Sequence, residues 1–320
     1  MTPLLQIEDL KKYYPVKATP FAGRSRTLKA VDGVSLEIGR GECLGLVGES
    51  GCGKTTLGRL IMRLEEPTGG RVMFDGLNVL DLNRKDLRGF RRRVQIIFQD
   101  PYSSLNPRKS VGSIIGEPLA IHGMGNKEER RTQVLRLMAE VGLRPEHYGR
   151  YPHEFSGGQR QRVGIARALA LGPDLIVADE PVSALDVSIQ AQVINLLKDL
   201  QNKYSLTYLF IAHDLSLVRH VSDRLAVMYL GRLAEILPRD HFGHAHHHPY
   251  TLALLASAPI PKPGAKKEYR PLAGDVPSPI DPPSGCLFHP RCPEKIDLCS
   301  NRFPELREIT PGHFIACHRR

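Results

Sequence analysis

Upstream of about residue 250, short unbroken apolar runs alternate with stretches whose apolar residues recur every three or four positions. Cys43–Val47, Val94–Phe98, Leu175–Ala178 and Thr207–Ala212 are runs of the first kind. They lack the in-out alternation of a half-solvated strand, so each predicts a buried strand of a parallel sheet. The first run ends at Gly48 and leads into a helical pattern over Thr55–Leu64. Residues 127–141 set Val134, Leu137, Met138 and Val141 on one helical face with charges opposite. The surrounding region, about 100–165, therefore reads as a helical subdomain inserted into an α/β core. The pattern then stops. Residues 259–283 carry eight prolines (Pro259, Pro261, Pro263, Pro271, Pro277, Pro279, Pro282 and Pro283), as a stiff linker or wrapping arm does. The expected organisation is a nucleotide-binding α/β domain over 1–250, a Pro-rich linker over 251–283 and a small Cys-containing module over 284–320.

Charge changes this picture little. The 320 residues carry a net charge of +10, but Lys and Arg are dispersed apart from short clusters such as Arg91–Arg93. A solvated basic surface fits better than a nucleic-acid site, with affinity for anionic lipid headgroups as the alternative. No apolar stretch reaches the ~20 residues needed to span a bilayer. The first residues, Met1 to Gln6, lack the basic and apolar regions of a signal peptide. The expected location is the cytosol, against a membrane protein. In that reducing compartment the six cysteines are core residues or metal ligands rather than disulfides.

The chemistry concentrates where the apolar runs end. Gly48-Glu49-Ser50-Gly51-Cys52-Gly53-Lys54-Thr55 fits the phosphate-loop pattern, in which glycines let backbone N–H groups converge on phosphate oxygens at a helix N-terminus. Lys54 would reach the β- and γ-phosphates of ATP, Thr55 would coordinate Mg²⁺, and Thr56 belongs to the same binding segment. Asp179 and Glu180 close the Leu175–Ala178 run, where ligands bind in open α/β sheets. Asp179 would hold Mg²⁺ and Glu180 would polarise the attacking water as general base. His213, after the Thr207–Ala212 run, is placed to meet the γ-phosphate, and Gln99 to reach the metal or the water. Taken singly, a glycine-rich turn, an acidic turn or a strand-end histidine carries little weight; here they occur together. Ser156 can cap a helix beginning near Gln159, presenting N–H groups and a positive dipole end. A helix opening on Gly157-Gly158 needs a reason to bear glycine's entropy cost.

The ordered set Gly48–Thr55, Gln99, Phe155–Gln159, Asp179-Glu180, Ser183–Asp186 and His213 resembles the ATPase subunit of an ABC transporter, over about residues 5–250. The resemblance implies a P-loop NTPase core with an antiparallel β subdomain and the helical insert. It further implies that Ser156, Gly157, Gly158 and Gln159 bind ATP held by an opposing subunit, with Asp186 at the dimer contact. Tyr14 resembles the aromatic that stacks on adenine, with Tyr13 as the fallback. Phe155 stands where the family usually has Leu. The segments Leu10–Val16, Pro101–Pro107, His248–Leu255 and the C-terminal cysteines are similar to the dipeptide/oligopeptide importer ATPases, most closely the second ATPase subunit of a dipeptide importer. Nickel importers share much of this pattern. The family implies a sister ATPase in a heterodimer, two membrane permeases, an extracytoplasmic peptide-binding protein, and a place on the cytoplasmic face of the cell membrane. A soluble ABC ATPase of DNA repair or translation is the alternative from another class, but such chains generally carry two engines or a coiled-coil insert.

Cys286, Cys292, Cys299 and Cys317 lie in a stretch too small for its own core, which suggests a metal staple. Their irregular spacing departs from a zinc ribbon; the expectation is a [4Fe–4S] cluster, with Zn²⁺ or unligated thiols as alternatives. Cys43 and Cys52 read as small packing residues. The tract His241, His244, His246, His247 and His248 reads as a solvated turn before a helix starting near Pro249, with adventitious metal binding as the alternative.

Overall fold

A computed structural model describes residues 2–16, 26–100, 102–242, 246–257 and 274–320. Residues 17–25, Pro101, His244 and the prolines at 259, 261, 263 and 271 lie outside the described residues. In chain order the elements begin with β1 (Leu5–Val16), β2 (Arg26–Ile38), β3 (Cys43–Val47), α1 (Lys54–Ile61), β4 (Gly69–Phe74) and β5 (Leu77–Asn78). Next come α2 (Arg84–Arg93), β6 (Val94–Ile97), α3 (Val111–Ile121), α4 (Lys127–Glu140), α5 (Gly157–Leu169), β7 (Leu175–Asp179), α6 (Val187–Tyr204) and β8 (Thr207–Ala212). The chain closes with α7 (Leu215–Val221), β9 (Arg224–Tyr229), β10 (Arg232–Pro238), α8 (Pro249–Ser257), α9 (Asp297–Asn301), β11 (Arg307–Thr310) and β12 (His313–Ile315). These elements form two compact units.

The first unit holds residues 39–42 and 81–211. Its strands β6, β7 and β8 pair in parallel, with Val94 opposite Leu175 and Leu175 opposite Thr207. Every residue of β7 and β8 is buried, which is why the runs show no alternation. The helices α3, α4 and α5 supply the insert. On α4, Val134, Leu137 and Met138 are buried, and Val141 caps its C-terminus. Asn126 and Glu129 start this helix with a reciprocal capping box that satisfies its first N–H groups.

The second unit holds residues 2–38, 43–80 and 212–320. An antiparallel sheet runs β2-β1-β4-β5, with Leu5 opposite both Ile38 and Phe74. The buried strand β3 pairs in parallel with β9, and β9 continues antiparallel through β10 to β12 and β11. The Cys-containing C-terminal segment is thus continuous with a sheet: Ile315 lies opposite Glu235 of β10. Its core is borrowed, as its length requires.

Candidate functional site

In the second unit the phosphate loop leaves the buried β3 at Gly48 and enters α1 at Lys54. Gly53 makes that turn at φ 108, and a Cβ there would sit 2.1 Å from the carbonyl oxygen of Ala30, so no other residue fits. No side chain caps α1 at Gly53, as suits a helix start that receives an anionic ligand. The loop closes on the Lys54 ammonium, which is 5% exposed and donates to the carbonyls of Gly48 (2.7 Å) and Glu49 (3.0 Å). Ser50 and Gly51 are exposed at the tip, Thr55 and Thr56 are half-buried, and Cys52 is packed beneath. His213, just past β8, is exposed. At the end of β1 the hydroxyl of Tyr14 donates to Glu65, and Lys12 Nζ lies 5.0 Å from its ring centroid. Tyr13 is tied in the same way to Asp32.

In the first unit Asp179 ends β7 and is 7% exposed. Glu180 follows at φ 45, a left-handed conformation that costs a non-glycine residue on the order of 1–3 kcal/mol. Its N–H donates to Ile211, and its carbonyl accepts from the Ser183 N–H and hydroxyl, which hold the strained turn. Gln99 Nε2 donates to Glu180 Oε2 at 3.0 Å, so a side chain 81 residues away orients the carboxylate. An acceptor held beside an amide can take a proton from a water and position it.

The Ser156 turn lies in the same unit. The helix begins at Gly157 rather than near Gln159: Ser156 is the N-cap, its Oγ accepts from Gln159 N, and Gln159 Oε1 accepts from Ser156 N. Gln159 is therefore committed to the capping box. The glycines have a packing reason as well, since a Cβ on Gly158 would meet Ile189 Cγ2 at 2.5 Å. Phe155 is buried edge-on against His147 at 5.2 Å, whereas Ser156 is exposed. Asp186 caps α6 without a side-chain bond, and Val187 beside it is 81% exposed.

These arrangements have counterparts among known proteins. Residues 31–183 match the ABC transporter family model, and residues 234–299 match the oligopeptide/dipeptide transporter C-terminal region. The chain is 53% identical to the oligopeptide transport ATP-binding protein AppF of Bacillus subtilis, across 98% of this chain and 97% of that one. A putative peptide import ATP-binding protein of Brucella ovis is 55% identical across 99% of this chain and 98% of its own. The chain belongs to the ABC transporter ATP-binding family. Among solved structures, the dimeric post-hydrolysis state of the cassette MJ0796 bound to ADP and Pi aligns with TM-score 0.65 and 30% identity, over 73% of this chain and 98% of that one. CbiO1 of Clostridium perfringens aligns at 0.64 and 26%, over 75% and 90%. The ABC ATPase fold and an ATP-hydrolysing cassette follow. Among the described residues, no helix is long and apolar enough to cross a membrane.

The family's C-terminal region contains the histidine tract and three of the four late cysteines. Cys286, Cys299 and Cys317 are buried, Cys292 is half-buried, and none is in a disulfide. Burial pushes the Cys286 thiol up to about 11 and raises Cys292, and Cys299 and Cys317 add to both shifts. A cation bound there would have to ionise these thiols. Among the described residues, no three of their sulfurs lie within 4.8 Å of one another.

The histidine tract departs from expectation. His241 is half-buried and His246 exposed, but His247 and His248 are 1% and 3% exposed, not parts of a solvated turn. The cause is Glu235 on β10, fully buried, which no sequence pattern marks out. Its Oε1 lies 2.8 Å from His247 Nδ1 and 2.7 Å from His313 Nε2, and its Oε2 accepts from His248 N at 3.0 Å. Ligands of one zinc ion would stand about 3.3 Å apart, so these are hydrogen bonds. Despite burial, these donors hold the Glu235 carboxyl down to about 2. Burial instead lowers His248 to about 4. The cluster staples β10, β12 and the start of α8 together.

Proposed function

We propose that this chain is the ATP-hydrolysing subunit of a peptide importer. The observation that carries this reading is similarity along nearly the whole chain, including the C-terminal region, to proteins named for oligopeptide transport and peptide import. The phosphate loop binds the triphosphate through its N–H groups and Lys54, while Thr55, Gln99 and Asp179 hold Mg²⁺. Tyr14 supports the adenine. Glu180 acts as general base on the water, with Gln99 and His213 positioning it. The Ser156–Gln159 turn reaches the γ-phosphate held by a sister ATPase, with Asp186 at that contact, so the site is complete when two subunits close. Two permeases and an extracytoplasmic peptide-binding protein complete the assembly, with this chain on the cytoplasmic face. Residues 100–107, following Gln99, receive a permease helix, and Tyr102 among them is exposed.

We also propose that Cys286, Cys292, Cys299 and Cys317 hold a [4Fe–4S] cluster, in keeping with four free thiols, three of them buried, in one short segment. The cluster would supply a covalent staple to a segment with little core of its own. An anaerobic preparation is expected to be brown with iron and labile sulfide; a colourless, metal-free one overturns this.

Isolation from membranes tests the main reading. Co-purification with integral membrane subunits, and hydrolysis stimulated by a peptide-loaded binding protein, are expected. Stimulation by Ni²⁺ and not by peptides would reassign the cargo, and a chain that purifies without membrane partners would reject transport.

A further inference from the structure

The second residue of the phosphate loop is an acid, in a loop whose proposed ligand carries several negative charges. Glu49 does not stand alone: Arg291 donates from Nη1 to its Oε2 at 2.7 Å and from Nη2 to its Oε1 at 3.0 Å. This is the planar two-bond fork that arginine makes and lysine cannot. The Arg291 side chain is 6% exposed, so solvent screens the pair weakly. The backbone of Glu49 is fixed too, because its N–H donates to the Tyr250 hydroxyl at 2.8 Å. Tyr250 is fully buried, with ring centroids 4.7 Å from Tyr229 and 5.4 Å from Phe288. Both supports thus come from the C-terminal region, more than 200 residues beyond Glu49, and Arg291 directly precedes Cys292.

We propose that Arg291 is a positioning residue for ATP binding: it neutralises Glu49 and, with Tyr250, holds the loop in the shape that accepts a triphosphate. The inference rests on Gly48–Thr55 being the triphosphate loop. Without Arg291, a bare carboxylate would face the incoming phosphates and repel them. The sign of this effect separates it from ordinary scaffolding. A scaffold loses function whenever the pair is broken, whereas charge neutralisation is restored by removing the acid.

The test is fluorescent-nucleotide binding and steady-state hydrolysis by the full-length protein with its partner subunits. Arg291→Met is expected to weaken ATP binding about tenfold, with KM rising and kcat nearly unchanged. Arg291→Lys should fall between, and Arg291→Met/Glu49→Gln should return to within about threefold of wild type. Unchanged binding in Arg291→Met, or a double variant as weak as the single one, overturns the proposal. If Arg291→Met does not fold, Glu49→Gln alone decides: equal or tighter ATP binding supports the proposal, weaker binding rejects it. Lys54→Ala is the control for the loop itself; ATP binding that survives this change would defeat the loop reading, not the role of Arg291.

Discussion

The phosphate loop and the Ser156 turn both end in the N-terminus of a helix, yet they are secured in opposite ways. The loop draws its supports from residues 250 and 291, which are buried, and its Lys54 is enclosed by its own carbonyls. The Ser156 turn is exposed, is closed by hydrogen bonds between Ser156 and Gln159, and shares its unit with the exposed Val187. Buried supports suit a loop that keeps one shape around one ligand. An exposed turn that needs no help to hold its shape suits a surface that must meet another subunit. The difference teaches where a substitution will be felt: far along the chain for the loop, at a partner for the turn.

The largest effect is expected at the carboxylate that neither turn contains. Glu180→Gln should lower hydrolysis by about 10²–10⁴-fold while ATP binding persists, measured by phosphate release beside equilibrium binding. Comparable turnover would remove Glu180 from the role of base. Next, Glu235→Ala would strip the acceptor from two buried rings and a backbone N–H, costing about 3–5 kcal/mol in chemical denaturation. It should also weaken ATP binding, because α8 carries Tyr250, whose hydroxyl holds the Glu49 backbone of the loop. A loss under 1 kcal/mol would show the staple to be dispensable.

Acid should act on the same side of the comparison. The Glu235 pKa is lower in the fold than in the unfolded chain, so its contribution is present above about pH 4.5 and lost as pH falls towards about 2, by roughly 3 kcal/mol. His248 is also lowered, but as a base: it is neutral in the fold, and stability falls as pH drops from about 6.5 towards 4. Equilibrium unfolding in wild type should therefore weaken below about pH 6.5. A Glu235→Gln variant should lose the lower limb of that curve. Smallest of all, Ser156→Ala should cost about 1 kcal/mol of stability through the lost cap and leave ATP binding by the isolated chain unchanged.

How much of this was legible in the sequence depended on whether the information was local. Strands β3, β7 and β8 were visible because burial on both faces writes an unbroken apolar run. The phosphate loop was visible because its backbone requires glycine at fixed spacing, as at Gly53. Gln99 and Glu180 were both noticed at strand ends, but the hydrogen bond between them was not. Glu235 was not legible: one acid inside Leu233–Leu237 reads as an interruption of the strand until His247 and His313 come beside it. Arg291 likewise stood only as the neighbour of a late cysteine, with nothing local tying it to Glu49. Contacts across 242 residues leave no periodic trace. Gly158 stood between these cases, since the glycine was noticed but its contact with Ile189 was not.

The most direct test of the exposed turn's proposed task is ATP-dependent association of this chain with the ATPase subunit that copurifies with it. Light scattering would follow assembly in the Glu180→Gln background, with and without Ser156→Arg. The account predicts that Ser156→Arg abolishes the ATP-dependent dimer while this chain still binds its own ATP in full. A dimer that forms unchanged, or an isolated chain that no longer binds ATP, would contradict it.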